Sequence, residues 1–273
     1  MAILSVVRNV RQLRIGVPPS PPALPASFRR LCATICTFTH LSSISFRNND
    51  ALHSVNTSSP DYLHNVFLAQ LLTRRGSPLA SISLESTQIS TSNLSLLRTY
   101  RSGLKVLKFA DALSNQNIPI LSLDRPWGPT DTLESLIVSG ISMKLVSVLL
   151  HRLARGCFRA LRKLNLQTSA HYERDLDLPE NLKWATPPLH ETTLPFANTW
   201  FAIKVMQVVQ SRALILDPNF FALYSFDFIR FLQDTPFRNV TIVAANANKR
   251  EWKQVESLLQ DRGIMLVEPE EYW

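Results

Sequence analysis

Six histidines are the side chains of this sequence best suited to acid–base or metal chemistry. They are His40, His53, His64, His151, His171 and His190. None belongs to a His-Glu-x-x-His zinc motif, and the chain contains no Gly-x-Ser-x-Gly nucleophile turn or Gly-x-x-x-x-Gly-Lys phosphate loop. His190-Glu191 and the carboxylates of Asp175 and Asp177 are near one another in the chain, but this spacing builds no catalytic set. We therefore predict that the protein is not an enzyme and uses no cofactor and no metal.

The three cysteines, Cys32, Cys36 and Cys157, are an odd number and form no Cys-x-x-Cys pair. This pattern argues against a disulfide framework or a structural zinc site and favours a reducing compartment. Cys32 and Cys36 are four residues apart on a predicted helix, and we interpret them as small apolar core residues. No apolar run reaches the ~18–20 residues that span a bilayer. We expect a cytoplasmic or nuclear protein with no membrane partner.

The chain is basic, with 29 Lys and Arg against 21 Asp and Glu and a net charge of +8. A nucleic-acid interface would cluster these cations with stacking aromatic residues. Arg152, Arg155 and Arg159 recur at helical spacing, which is typical of a solvated helix face. A basic nucleic-acid-binding repeat protein is therefore an alternative, but we do not expect nucleic acid as the partner.

The amino-terminal region is rich in arginine and contains no acid before Asp50. Such a leader resembles a mitochondrial transit peptide, so a nucleus-encoded mitochondrial protein is a second alternative. However, five prolines between residues 18 and 25 would break the helix that such a leader forms. Residues 10–15 also fit the repeat described next, which favours a structural role for this region.

A hexapeptide of the form apolar-x-x-apolar-x-apolar recurs along the chain. Its copies begin at Val10, Leu41, Leu79, Leu104, Leu133 and Leu161, with a weaker copy at Ser211 and another at Phe237. The gap between the copies at Leu161 and Ser211 has room for a degenerate unit near residues 182–184. The triplet Ile118, Leu121 and Leu123 also fits but is out of phase, so it is an extra strand or chance.

The period of two at the end of each hexapeptide predicts a short strand with one buried face. The intervening segments show helical spacing, as between the possible cap Ser59-Pro60-Asp61 and Gly76, or from Leu145 to Gly156. Strand–helix units repeating every 25–30 residues predict an α/β leucine-rich-repeat solenoid, with a curved parallel sheet on one side and helices on the other. A doubly wound α/β fold is the rival, but it predicts all-apolar strands and a glycine-rich first turn.

Segments 133–138 and 161–166 look like leucine-rich-repeat strands, and the chain resembles the irregular repeat region of fungal F-box/leucine-rich-repeat proteins. The resemblance implies a role in substrate recognition for ubiquitin-dependent turnover. Because the first hexapeptide begins at Val10, we expect no F-box, so a Skp adaptor would bind only if a divergent or missing F-box were supplied. The consensus asparagine occurs only at Asn49 and Asn219, so we expect the turns to vary.

The third and fifth residues of each hexapeptide are predicted to face away from the core, on the concave side of the sheet. This face could bind an extended, mildly acidic protein surface, and the protein would be a non-catalytic interaction scaffold. The candidate binding residues are Arg14, Ser43, Ser45, Ser81, Ser83, Lys108, Ser135, Lys163, Asn165 and Thr241. We predict one domain over residues 1–273, with a proline-rich irregular insertion at about 169–200.

Overall fold

The structure, a computed structural model, describes a large part of the chain. The described residues are 10–17, 26–35, 37–48, 62–73, 79–100, 103–121, 131–168, 188–194, 205, 208–216, 241–243, 253, 257 and 259–267. The chain divides into two compact units, Met1–Gly140 and Ile141–Trp273. Each unit is described by itself below.

The first unit alternates strands with helices. Its elements are β1 (Gln12–Val17), α1 (Ala26–Ile35), β2 (Ser43–Asn48), α2 (Leu63–Thr73), β3 (Ser81–Glu85), α3 (Thr91–Thr99), β4 (Val106–Ala110), a 3-10 turn (Asn115–Asn117), α4 (Ile118–Leu121) and β5 (Ser135–Ile141). The strands are parallel and pair in chain order. The predicted α/β class with a parallel sheet is therefore confirmed, whereas the out-of-phase triplet at Ile118 is helical over its first part rather than a strand.

The core of the first unit lies on one face of this sheet. Two rows of apolar side chains, from the fourth and sixth hexapeptide positions, are aligned by the strand register. They are Leu13, Ile44, Ile82, Leu107 and Leu136, and Ile15, Phe46, Leu84, Phe109 and Val138. Ile44, Phe46 and Ile82 are fully buried. The ring of Phe46 meets that of Phe67 of α2 edge-on, with centroids 5.7 Å apart, so α2 packs on this buried face.

The same pair of hydrogen bonds joins the start of each strand from β2 to β5 to the residue before the preceding strand. The carbonyl oxygen of Arg11 accepts from the backbone N–H groups of Ser42 and Ser43, at 2.9 and 3.0 Å. The carbonyls of Ser42, Ala80 and Lys105 each accept in the same way from the two residues that begin the next strand. The identical bonding explains why the strands start level with one another although the intervening segments differ in length.

At the other end of the strands the chain turns through left-handed conformations. Ser86, Asp111 and Gly140 follow the aligned residues of β3, β4 and β5 with φ of 51°, 51° and 68°. The next residues, Thr87 and Ala112, are fully buried. Small buried side chains therefore follow the turns after β3 and β4.

Buried asparagines recur on the helix side of the first unit. Asn65, Asn93 and Asn117 are each the third residue of a helix or 3-10 turn and are at most 2% exposed. The side-chain amide of Asn93 donates to the backbone carbonyl of Asn65 at 2.6 Å, and that of Asn117 donates to the carbonyl of Ile89 at 3.3 Å. These amides donate hydrogen bonds to carbonyl groups that are buried between one strand–helix unit and the next.

The second unit begins with α5 (Met143–Ala154), which Ser142 caps by accepting from the Leu145 N–H. Its strands are β6 (Lys163–Thr168), β7 (Leu189–Leu194), β8 (Ser211–Leu216), β9 (Thr241–Val243) and β10 (Met265–Val267). They are parallel and pair in chain order. β7 lies within the segment that the sequence predicts to be an insertion, whereas the proposed degenerate unit at 182–184 lies outside the described residues.

The pairing register of the strands explains why the hexapeptide pattern does not predict β7. The core row of this unit runs through Leu164, Thr192, Leu214 and Ile242. Thr192 is fully buried where the pattern requires an apolar residue. Its hydroxyl has no hydrogen-bond partner among the described residues, so it behaves as a core residue with the shape of valine.

Candidate functional site

The candidate site of the first unit is the face of its sheet opposite the core, called here the strand face. Alternate side chains of a strand point to opposite faces, so the residues between the buried positions lie on it. Its aligned rows are Gln12, Ser43, Ser81, Val106 and Ser135, and Arg14, Ser45, Ser83, Lys108 and Ile137. The structure thus brings together all seven binding residues predicted for this unit, on neighbouring strands.

Four serines form the centre of the strand face. Ser43 and Ser45 of β2 are in register with Ser81 and Ser83 of β3, and all four are half-buried. Because serine side chains are short, a ligand chain can approach the backbone of the sheet closely here and reach the hydroxyl groups of the serines. Val106 and Ile137 add half-buried apolar surface on β4 and β5.

Lys108 is engaged in an ion pair on this face. Its Nζ lies 2.8 Å from Oε1 of Glu85, which also accepts from the Ser83 hydroxyl at 3.3 Å. Nε of Arg47 lies 4.0 Å from the other oxygen, Oε2. The hydrogen bond from Lys108 is the main cause that lowers the pKa of Glu85, against the opposing effect of burial. The positive charge of Lys108 is therefore compensated within the protein.

Arg14 and Arg47 are the exposed cations of the strand face. Arg14 is exposed on β1, and the side chain of Arg47 on β2 is 70% exposed. Neither β1 nor β2 contains an acidic residue. Positive charge on the strand face is thus concentrated at these two strands.

The remaining candidate residues lie on the strands of the second unit. Lys163, Glu191, Ala213 and Thr241 form one row, and Asn165 is aligned with Thr193 in the next. Nζ of Lys163 lies 2.9 Å from Oε2 of Glu191, whose side chain is only 14% exposed. Oδ1 of Asn165 is buried without a hydrogen-bond partner among the described residues. Lys163, like Lys108, therefore carries a charge that is compensated internally.

This pairing assigns Glu191 a structural role. In the sequence Glu191 is grouped with His190, but His190 is exposed and Glu191 bonds the neighbouring strand, while Asp175 and Asp177 lie outside the described residues. Within the described ranges no three His, Cys, Asp or Glu side chains are arranged to hold a metal ion. The geometry offers no acid–base pair at this position.

The basic helix face predicted at residues 152–159 is only partly solvated. Arg152 is 6% exposed in α5, with Nη1 3.9 Å from Sγ of Cys157, whereas Arg155 and Arg159 are exposed. The expectation of three solvated arginines is wrong for Arg152, because its side chain, including Nη2 of the guanidinium group, is buried where α5 ends. Cys36 and the side chain of Cys32 lie outside what the structure describes.

Sequence reasoning missed Glu85 and Arg47 as residues of the strand face. Both follow their hexapeptide directly, and continuing the alternation by one step places them on the same face as the fifth residue. Their ion pairs join strands that are far apart in the chain. The alternation of side chains along a strand is enough to place Glu85 and Arg47 on the strand face, but it does not show which residue each of them pairs with.

Comparison with protein-family models, curated proteins and solved structures finds no match for this chain. In the parts of the chain that the structure describes, no helix combines the length and apolar character needed to cross a membrane.

Proposed function

We propose that this protein is a non-catalytic protein-interaction scaffold, built as an irregular leucine-rich-repeat solenoid whose strand face binds an extended segment of a partner protein. The observation that carries the proposal is the alignment of five consecutive strands. The third and fifth residues of their hexapeptides form continuous rows of mostly small or polar side chains, with Val106 and Ile137 as the apolar members. Such a surface lets a ligand chain approach a rigid backbone closely.

Two further observations support the repeat architecture. The residue before each of β1, β2, β3 and β4 accepts, at its carbonyl group, the same pair of hydrogen bonds from the start of the next strand. Recurring asparagines close the helix side at equivalent helical positions. Repetition of one unit, with each unit contacting its neighbours, is the principle of solenoid folds.

The resemblance to the repeat region of F-box proteins suggests the biological setting. A scaffold of this kind would select substrates for ubiquitin-dependent turnover in the cytoplasm or nucleus. Association with a Skp adaptor requires an F-box, so it is expected only if a divergent or separately supplied F-box is present.

The test is to block the strand face with one large side chain. Ser83→Trp places an indole at the centre of the face, and Ser95→Trp makes the same change on the exposed side of α3. Proteins captured by the tagged wild type and by each variant are quantified by mass spectrometry, with Skp and cullin among the proteins scored. Folding of both variants is checked by circular dichroism.

We expect Ser83→Trp to remove a defined set of captured proteins that the wild type and Ser95→Trp both retain. Equal capture by all three folded proteins would refute binding through the strand face. A catalytic activity lost only in Ser83→Trp would contradict the non-catalytic proposal.

A further inference from the structure

The two exposed arginines of the strand face occupy diagonal corners of a small rectangle of four residues on β1 and β2. Arg14 is in register with Ser45, and Gly16 is in register with Arg47. With strands ~4.8 Å apart and a rise of ~3.3 Å per residue, the Cα atoms of the two arginines are about 8 Å apart. Side chains as long as arginine can reach a common ligand across this distance.

The other two corners leave room for that ligand and add a donor. Gly16 has no side chain, so the sheet surface is open between the arginines. Ser45 is half-buried and offers a hydroxyl group. The rectangle thus combines two planar guanidinium groups, a hydroxyl donor and the open backbone surface at Gly16. Neither strand contains an acidic residue.

Glu85 limits the positive charge on the side of β3. Its carboxylate is held mainly by Lys108 at 2.8 Å and is 4.0 Å from Arg47, whose side chain stays 70% exposed. Among the residues that the structure describes, one negative charge is therefore shared by two cations, and the uncompensated charge lies at the β1–β2 corner. An anionic group on a ligand would be attracted to this corner rather than to the serine block at the centre.

We propose that the Arg14–Arg47 corner binds a phosphorylated side chain carried by the extended protein segment on the strand face. A phosphate group has nearly two negative charges at neutral pH and three acceptor oxygens, so it can accept hydrogen bonds from both guanidinium groups and from Ser45. A carboxylate carries one charge and would be matched by one arginine. This inference rests on the proposed function, because it names the partner chemistry of the same face.

The experiment measures fluorescence anisotropy of labelled peptides with the full chain at fixed salt. The probes are a Gly/Ser/Ala peptide with one central phosphoserine, the same peptide with serine or glutamate there, and a single-stranded oligonucleotide. We expect the phosphopeptide to bind more tightly than the glutamate peptide and the serine peptide to bind least.

Four variants test the geometry. Arg14→Gln and Arg47→Gln should each weaken phosphopeptide binding about tenfold, the loss expected when one charge-assisted hydrogen-bond donor is removed. Glu85→Gln should tighten it severalfold by releasing Arg47. Arg30→Gln, which makes the same charge change at an exposed position of α1, should leave it unchanged.

The proposal is overturned if the phosphopeptide does not bind, if phosphorylation makes no difference, or if Arg14→Gln and Arg47→Gln behave like Arg30→Gln. Tighter oligonucleotide binding that the same two substitutions remove would also overturn it, by assigning the corner to nucleic acid. If both arginine variants retain the captured partners while Ser83→Trp loses them, only this inference fails. If Ser83→Trp retains them too, the proposed function fails.

Discussion

His64 is a fully buried imidazole in the first unit. Its Nε2 donates to the backbone carbonyl of Gln88 at 2.8 Å, and Nδ1 has no partner among the described residues. The ring packs beside Phe46 and Tyr62, with centroids 6.3 and 6.0 Å away. Loss of solvent lowers the pKa of His64, and the bond to Gln88 opposes this effect. The neutral form is therefore the one that fits the fold.

We predict that the free energy of unfolding falls as the pH drops below about 6.5, because the unfolded chain then binds a proton at His64 that the folded chain does not. Urea titrations between pH 5 and 8 measure this dependence. Glu85 stays ionised in this range, because its lowered pKa shifts its contribution to lower pH. In His64→Gln the slope should be reduced, and an unchanged slope would show that other groups cause it.

Gly140 is a second residue whose environment predicts a measurable effect. Its φ is +68°, and a Cβ atom there would collide with the carboxyl group of Asp111. Gly103 has φ of +79°, but the space that a Cβ atom would occupy there is open. Gly103→Ala should therefore cost only backbone strain, about 1–2 kcal/mol.

We expect Gly140→Ala to destabilise the protein by at least about 1 kcal/mol more than Gly103→Ala, since the Asp111 side chain must also move. Denaturant unfolding of both variants measures the difference. Equal losses would mean that Asp111 relaxes without cost.

At the scale of elements, α2 and α3 are connected by buried polar contacts. Oδ1 of Asn65 accepts from the Ser90 N–H at 3.0 Å and from the side-chain amide of Asn93 at 3.0 Å. The hydroxyl of Ser90 in turn caps α3 by accepting from the Asn93 N–H. These bonds set the position of one helix against the next.

Asn93→Ala should lower the free energy of unfolding by about 1–3 kcal/mol, because it removes the two buried hydrogen bonds that the Asn93 side-chain amide donates to the carbonyl and to Oδ1 of Asn65. Ser95→Ala, an exposed change in the same helix, should stay within about 0.5 kcal/mol of the wild type. Thermal and urea unfolding provide the measurement. A loss in Asn93→Ala no larger than that in Ser95→Ala would contradict a structural role for the buried amides.

At the scale of the molecule, the core row of the first unit is less buried on β1 than on the strands that follow it. Leu84 on β3 is fully buried, whereas Ile15, in the same row on β1, is half-buried. A central layer has neighbours on both sides, but a terminal layer has one. Truncation of a core side chain should therefore cost more on β3 than on β1.

Leu84→Ala should cost about 2–5 kcal/mol, the range for a large core truncation, and Ile15→Ala roughly 1 kcal/mol. Urea unfolding followed by circular dichroism compares the two. Similar losses would indicate that β1 is covered as fully as β3.

The alternation of strands and helices, the burial of the fourth and sixth hexapeptide residues and the parity of the strand face could all be predicted from the sequence. They follow from local periodicity, because the alternation of Ile82, Ser83 and Leu84 within one short segment shows which side chains lie on the core face and which lie on the opposite face. α3 lies in one of the intervening segments that the sequence predicts to be helical, and Ser90, Leu94 and Leu97 provide its cap and its buried face. β7 was missed because Thr192 replaces an apolar core residue.

Only the tertiary structure decided which charges of the face are compensated. Lys108 with Glu85 and Lys163 with Glu191 join strands separated by 23 and 28 residues, and Arg152 is enclosed although its spacing suggests a solvated face. A short segment determines how its own side chains alternate, so the sequence by itself determined the strand face and its serines. Ion pairing depends on which residue of a distant segment comes into register, and that is determined when the strands pair.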